Sequence, residues 1–389
     1  MKHNIIYFDN AATSNYKPLC VKISLFKSLV LSANPGRSGH KLSFQNAQAV
    51  WNTRETVAKY FNLENAEDVI FTKNCTEALN IAILGLLGDK NKNKCHVICS
   101  CFEHNSILRP LYHLQQEDKI ELTVVKPENK NYITKIDIEK HIKPTTFLVC
   151  LTHISNVTGN KNDIEDVGKL CHEKNINFLV DCAQSAGHIK IDMHSSHINF
   201  LTFAGHKGFF APQGIGALCI NSDIKPLPLM FGGTGTNSIS LEQPDELPEK
   251  YESGTLMTHN IIALRSAIKY VEKHFEMHNK KLELLTKYLY RKLNSLKEDK
   301  LKIYSLPQNK YGVISFEITN HDSVEVAQYL DEKFNIAVRS GLHCAPLTHK
   351  YFKTEKNGLV RVSLSFKNKK SEIDKLIFAL NKFFEQNKQ

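Results

Sequence analysis

The chain has 389 residues, 42% hydrophobic and 23% charged, the balance of an ordinary globular protein long enough for a large core and two domains. Its 50 Lys and Arg against 40 Asp and Glu leave a net charge of +10, but the lysines are scattered rather than blocked with aromatics, so nucleic acid is not expected as a partner. No apolar run approaches the roughly 20 residues of a membrane span, residues 1–10 lack the order of a secretory leader, and the ten cysteines form no CxxC pair or zinc-spaced cluster. The expectation is a cytoplasmic protein with reduced thiols, no membrane and no metal.

In chain order, the hydrophobic pattern predicts a short strand over 5–8, then small polar residues over 9–13 and an amphipathic helix over 18–30. A Gly/Pro loop, NPGRSGH (34–40), precedes a helix over 43–60. Strands over 69–72, 96–100, 121–125, 147–151 and 178–181 alternate with helices over 76–87, 106–114, 136–141 and 164–173. Such alternation means parallel crossovers and an α/β sheet covered on both faces. Further strands are expected over 198–203 and 214–220. The pattern then breaks into Gly, Thr, Ser and Pro over 226–252. A long helix over 260–296 opens a second domain with strands at 313–318, 337–339 and 360–366 and helices at 323–334 and 371–384. The expected division is 15–256 and 257–389, with 1–14 packing against the second part.

The stretch INFLTFAGHKGFFAPQGIGALCI (198–220) sets Lys207 at the end of an apolar strand, between glycines and beside His206. A desolvated lysine loses proton affinity and becomes an amine nucleophile, although this one read alone is a surface turn with one cation. Other segments supply what a cofactor with a phosphate, an aldehyde and a pyridine ring requires. A phosphate wants a helix N-terminus. Asn74, Cys75, Thr76, Glu77 and Ala78 open such a helix, where an ordinary N-cap would look the same. A pyridine nitrogen wants a carboxylate. Asp181 ends an apolar strand with Gln184 three residues on, and an Asp capping a turn is the plain alternative. His104, after the strand over 96–100, offers an aromatic face or is a satisfied loop histidine.

Together and in this order these segments resemble the class V aminotransferase superfamily of pyridoxal phosphate enzymes, and within it the cysteine desulfurases. The matching stretches are YFDNAAT, NPGRSGH, CTEALN, EHNS, SNVTG, VDCAQSAGHIKID, FAGHKGFFAPQGIGAL, FGGTGT, YESGT, RSGLHCAP and LVRVSLSFKN, spanning 7–368. RSGLHCAP is similar to the short cysteine loop of group II. The resemblance implies fold type I of the pyridoxal phosphate-dependent transferases. That is an α/β large domain with a mixed, mostly parallel seven-stranded sheet flanked by helices, and a smaller α+β C-terminal domain carrying the cysteine loop.

It also implies pyridoxal 5'-phosphate bonded to Lys207, His104 stacked on the ring, Asp181 at the pyridine nitrogen and Gln184 near the ring oxygen. Thr76 and His206 would hold the phosphate, with Cys75 in the same cofactor set. Thr255 would reach the phosphate from the other subunit of a homodimer. Asn156 and Arg361 would hold the carboxylate of L-cysteine, with Arg339 close by. Cys344 would take the sulfur as a persulfide, leaving L-alanine, with His343 and Arg339 favouring its thiolate. A sulfur-acceptor protein would follow, for iron–sulfur clusters or other sulfur biosynthesis. The other cysteines are expected as buried small hydrophobes, Cys75 at its helix N-terminus being a lesser candidate for activation. Two positions depart from the pattern: Ala204, where many relatives carry Ser or Thr, and Leu342, where group II has a second His. The alternatives are a selenocysteine lyase, another class V activity that would not need the thiol loop, and an inactive scaffold, against which Lys207, Asp181, His104, Cys344 and Arg361 stand together.

Overall fold

Short β-branched and apolar runs between amphipathic helices build the main sheet. The computed structural model describes residues 5–36, 38–88, 94–128, 130–296 and 300–387; Arg37 of NPGRSGH and residues 1–4 lie outside them. The chain opens with β1 (Ile6–Tyr7), α1 (Leu19–Val30), α2 (Lys41–Phe61), β2 (Val69–Thr72) and α3 (Cys75–Leu87). It alternates through β3 (Cys95–Ser100), α4 (Asn105–Gln116), β4 (Ile120–Val125), α5 (Lys135–Glu139), β5 (Thr146–Thr152), α6 (Ile164–Glu173) and β6 (Asn177–Asp181). Then come β7 (Phe200–Ala204), β8 (Gly216–Ile220) and, beyond a long connection, α7 (Thr258–Asn294). The remaining elements are β9 (Leu301–Ile303), β10 (Val313–Ile318), α8 (Ser323–Phe334), β11 (Ile336–Ala337), α9 (Pro346–Phe352), β12 (Val360–Ser363) and α10 (Lys370–Gln386).

The seven-stranded sheet runs β2-β8-β7-β6-β5-β3-β4. Only β8 opposes its neighbours; the other pairs are parallel. Every residue of β6, β7 and β8 is buried, because helices cover both faces. Val57 and Phe61 of α2, Val167 of α6 and Leu264 and Ile268 of α7 pack on one face. Leu79 and Leu86 of α3 and Ile107 and Leu111 of α4 pack on the other. The parallel strands therefore deliver their carboxyl ends to one edge, where open α/β sheets bind ligands.

A separate core joins the antiparallel sheet β12-β10-β9 to α8, α10 and the second half of α7 through Leu282, Leu285, Leu289 and Leu293. Ile6 and Phe8 belong to this core, because β1 pairs in parallel with β11. The expected strand over 337–339 shrinks to Ile336–Ala337, and Arg339 instead bridges Arg361 across a two-residue contact. β9 and α9 were not anticipated. Three residues, LKI, and seven, PLTHKYF, are too short to display a period.

One buried ion pair anchors the end of the 226–252 connection. Arg54 of α2 pairs with Glu252 and donates to the Val69 carbonyl, while Glu252 accepts the Phe71 N–H at 2.6 Å. Burial pushes the Glu252 carboxyl upward and the Arg54 guanidinium opposes that shift. Removing one member of such a pair strands a buried charge, so Glu252→Ala should cost about 3–5 kcal/mol. A urea midpoint within error of the unsubstituted chain would contradict this.

Candidate active site

Asp181 stands at the carboxyl end of β6, buried. Its Oδ1 accepts the Ala183 N–H at 2.8 Å and faces the Cys75 thiol at 3.5 Å. These contacts fix the carboxylate at the carboxyl end of β6. Lys207 follows β7 in a turn that only close backbone approach allows: a Cβ on Gly208 would lie 2.1 Å from the Ala186 carbonyl oxygen. Burial lowers the proton affinity of Lys207, helped by Arg361 and Arg339 and opposed by Asp181 and Cys75. The amine is thus biased toward its nucleophilic form.

His104 is both the N-cap of α4 and a wall of the same cavity. Its Nδ1 accepts the Ser106 N–H at 3.1 Å, which puts the ring proton on Nε2. Burial, reinforced by Lys207, Arg339 and Arg109, brings its pKa down to about 4. Thr76 shares a hydrogen bond with Ser106 (2.8 Å) at the N-terminus of α3. His206 has a buried Nδ1 with no partner, and burial lowers its pKa to about 4. Cys75, Thr76, His104, Asn156, Asp181, Gln184, Ala204, His206 and Lys207 line one cavity. Gln184 also donates to the Ala11 carbonyl at 3.0 Å.

The cysteine loop is tied to this cavity from two sides. Asn105 donates its N–H to the Cys344 carbonyl and the Asn156 side chain donates to the His343 carbonyl, both at 2.7 Å. Cys344 itself is exposed, and an Arg339 guanidinium nitrogen lies 3.6 Å from its sulfur. Arg361 is buried, donating to the Asn156 carbonyl at 2.9 Å and to Asp9 at 2.7 Å, while its Nε has no partner. An unpartnered, buried guanidinium N–H beside the cavity suits an incoming carboxylate. Thr255 is exposed and does not line the cavity of its own chain.

Three expectations need correcting. His343 does not assist the thiol as a cation: burial drives its pKa far down, and both ring nitrogens lack partners. Arg339 is the cation in contact. Cys75 is not activated by its helix terminus, because burial and the facing Asp181 push its pKa up. Cys20 is exposed on α1 rather than buried, and Cys95 is half-buried. Sequence reasoning also passed over Asp9, which orients Arg361, although YFDNAAT pointed at it. Glu103 was missed too. Fully buried, it accepts the Ser100 hydroxyl and the Thr152 N–H (2.9 Å), linking β3 to β5, and burial lifts its pKa to about 8.

These shifts set a pH dependence of stability. His104, His206 and His278, at about 4, and His153, at about 3, are all held below the ordinary histidine value, each first by burial. Between those values and about 6.5 the unfolded chain binds protons that the native chain refuses, so stability rises as pH rises across that window and is lost as pH falls. Glu103, native pKa about 8, acts in the opposite sense above about 4.5, as do Glu252 and Asp163, both pushed up by burial, but the lowered His188 and His343 join the four on the other side. The denaturant midpoint should be lower at pH 5 than at pH 7, and a flat profile would contradict the burial of these rings.

The sequence pattern of the family described as Aminotransferase class-V matches residues 6–376. A probable cysteine desulfurase of Methanothermobacter thermautotrophicus is 33% identical, with 95% of this chain and 92% of that protein covered. One of Borreliella burgdorferi is 34% identical, covering 98% and 92%. The apo structure of cysteine desulfurase from Thermococcus onnurineus NA1 superimposes with a TM-score of 0.90 at 30% identity, covering 98% of this chain and 95% of that one. With the family pattern, the near full-length likeness and the superposition in agreement, the chain belongs to the class V aminotransferase family, and within it to the cysteine desulfurases.

Proposed function

We propose that the chain converts L-cysteine to L-alanine with pyridoxal 5'-phosphate, taking the sulfur on Cys344 as a persulfide. The observation that carries this reading is the tie of an exposed thiol, beside Arg339, to a cavity holding a low-affinity amine and a buried carboxylate. The residues fit the cofactor. The α3 N-terminus, Thr76 and the orphaned His206 Nδ1 would take its phosphate, Asp181 its ring nitrogen, His104 its ring face and Lys207 its aldehyde. When bound there it supplies an electron sink for charge at the substrate Cα.

The other steps belong to the chain's own groups. Arg361, held by Asp9, donates N–H groups to the substrate carboxylate. Lys207, as free amine, takes the Cα proton. Cys344, as thiolate held by Arg339, attacks the substrate sulfur. The S–S bond forms as the Cβ–S bond breaks, its electron pair stays on carbon, and protonation yields alanine. Lys207 and the Nε2–H of His104 are the proton carriers at hand. The test is reconstitution with pyridoxal 5'-phosphate and addition of L-cysteine: alanine and reductant-released sulfide should appear in equal amounts, and neither appearing would sink the reading.

Ala204 lines the cavity without a hydroxyl. Ala204→Ser should tighten cofactor binding about fivefold, the worth of one net hydrogen bond. An unchanged dissociation constant would count against a phosphate at that wall.

The active unit in this reading is a homodimer. Leu19, Ile23, Phe26 and Val30 form an exposed apolar stripe on α1, and Met230 and Phe231 are exposed as well. Thr255 would reach the neighbouring cavity. The division at 256/257, a cytoplasmic setting and a protein that accepts the sulfur complete the proposal. No helix among the described residues is long and apolar enough to cross a membrane.

A further inference from the structure

The persulfide of the proposed reaction must leave Cys344, and the surface beside that residue is shaped for one kind of recipient. A groove runs between α4 and the start of α9, lined by Leu108, Leu122, Val124, Pro346 and Leu347. Pro346 follows Cys344 by two residues, and Asn105, at the other end of the lining, donates its N–H to the Cys344 carbonyl. The groove therefore abuts the nucleophile's own backbone. Tyr112 stands over it 60% exposed, and Leu342, beside the thiol, is 40% exposed.

Its charge is one-sided. Arg109 and His113 line the groove and no carboxylate does. Glu117 pairs with His113 at 3.4 Å, whereas Arg109 makes no ion pair among the described residues. The groove lies on the α3–α4 face of the sheet, whereas α1 packs through Val21 and Leu25 on the opposite, α2–α7 face and leaves its stripe exposed there. A second copy docked through α1 leaves it open.

The geometry points to this groove as the docking surface for the sulfur acceptor, a protein presenting its cysteine on a segment with an apolar anchor and an acidic residue. The anchor would enter beside Tyr112 and Leu347, and the acid would pair with Arg109. In the transfer itself the acceptor thiolate attacks the outer sulfur of the Cys344 persulfide. A new S–S bond forms, the old one breaks, and Cys344 leaves as thiolate, so no outside oxidant or reductant is needed. This inference rests on the function proposed above.

The test uses holoenzyme whose Cys344 has been loaded with L-cysteine, loading being checked first by the mass of the Cys344 peptide. Two synthetic cysteine peptides serve as probes, one with Leu and Glu flanking the cysteine and one with Ser and Lys, and dithiothreitol serves as a small-thiol control. The acidic, apolar peptide should gain sulfur about tenfold faster than the basic one at low salt, with the gap narrowing as salt rises. Arg109→Glu should reverse the preference and Tyr112→Ala should weaken it. Both residues are exposed, and because Arg109 also acts on His104, each variant's transfer rate is taken relative to its own loaded fraction of Cys344 and to its own sulfide release to dithiothreitol. Equal rates for the two peptides, or an undiminished preference in both variants, would overturn the docking surface. Failure of Cys344 to load would overturn the proposed function instead.

Discussion

Lys207→Ala should fold normally and lose turnover of L-cysteine by about 10³-fold or more, because in the function proposed above one side chain supplies both the amine that bonds the cofactor and the base at Cα. The loss is chemical rather than structural. The Lys207 side chain makes no ion pair among the described residues, and burial already disfavours its charge. Removing it relieves a desolvation cost and breaks no contact network. The thermal midpoint of the variant, measured without cofactor, should be equal or higher, in contrast to Glu252→Ala. Lys207→Arg should not rescue activity, since a guanidinium stays protonated. Added pyridoxal 5'-phosphate should give the wild type a Schiff-base absorbance band and the Ala variant none. A variant that retains the band and the activity would remove Lys207 from its role.

The second large effect is on Cys344. Cys344→Ala should reduce desulfuration of L-cysteine by about 10³-fold or more, as losing a nucleophile does when the remaining groups cannot replace it. Release of selenide from L-selenocysteine should survive, because selenide can leave without a sulfur-accepting thiol. The unsubstituted chain then separates the two readings: a desulfurase turns over L-cysteine through Cys344, whereas a selenocysteine lyase would release selenide but little sulfide even with Cys344 present. None of the seven buried cysteines can substitute; Cys75, nearest the chemistry, is sealed against Asp181 and Thr202 with its thiol pKa raised.

Much of this arrangement was legible in the sequence. Strand β2, helices α6 and α8 and strand β10 fall where apolar period and caps coincide. For α3, Asn74 accepts the Glu77 N–H at 2.9 Å, the contact its N-cap position implies. Lys207, Asp181, His104, Thr76, Gln184 and His206 share one cavity because each sits at a strand end or helix start, and parallel strands bring those ends to one edge. What stayed hidden depends on contacts between distant segments. Asp9 and Arg361, 352 residues apart, meet only once β1 and β12 flank the same core. The Arg54–Glu252 pair and the Glu103 link between β3 and β5 carry no local period at all. His343 looked like a helper of Cys344 because adjacency is visible in a sequence, whereas the burial that neutralises it is not.

The most direct measurement is the mass of the Cys344 peptide after holoenzyme meets one equivalent of L-cysteine without reductant. One added sulfur atom on that peptide, matched by one alanine released and erased by dithiothreitol, is the predicted result. Alanine formed while the peptide keeps its original mass, or the extra sulfur carried on another cysteine, would contradict it.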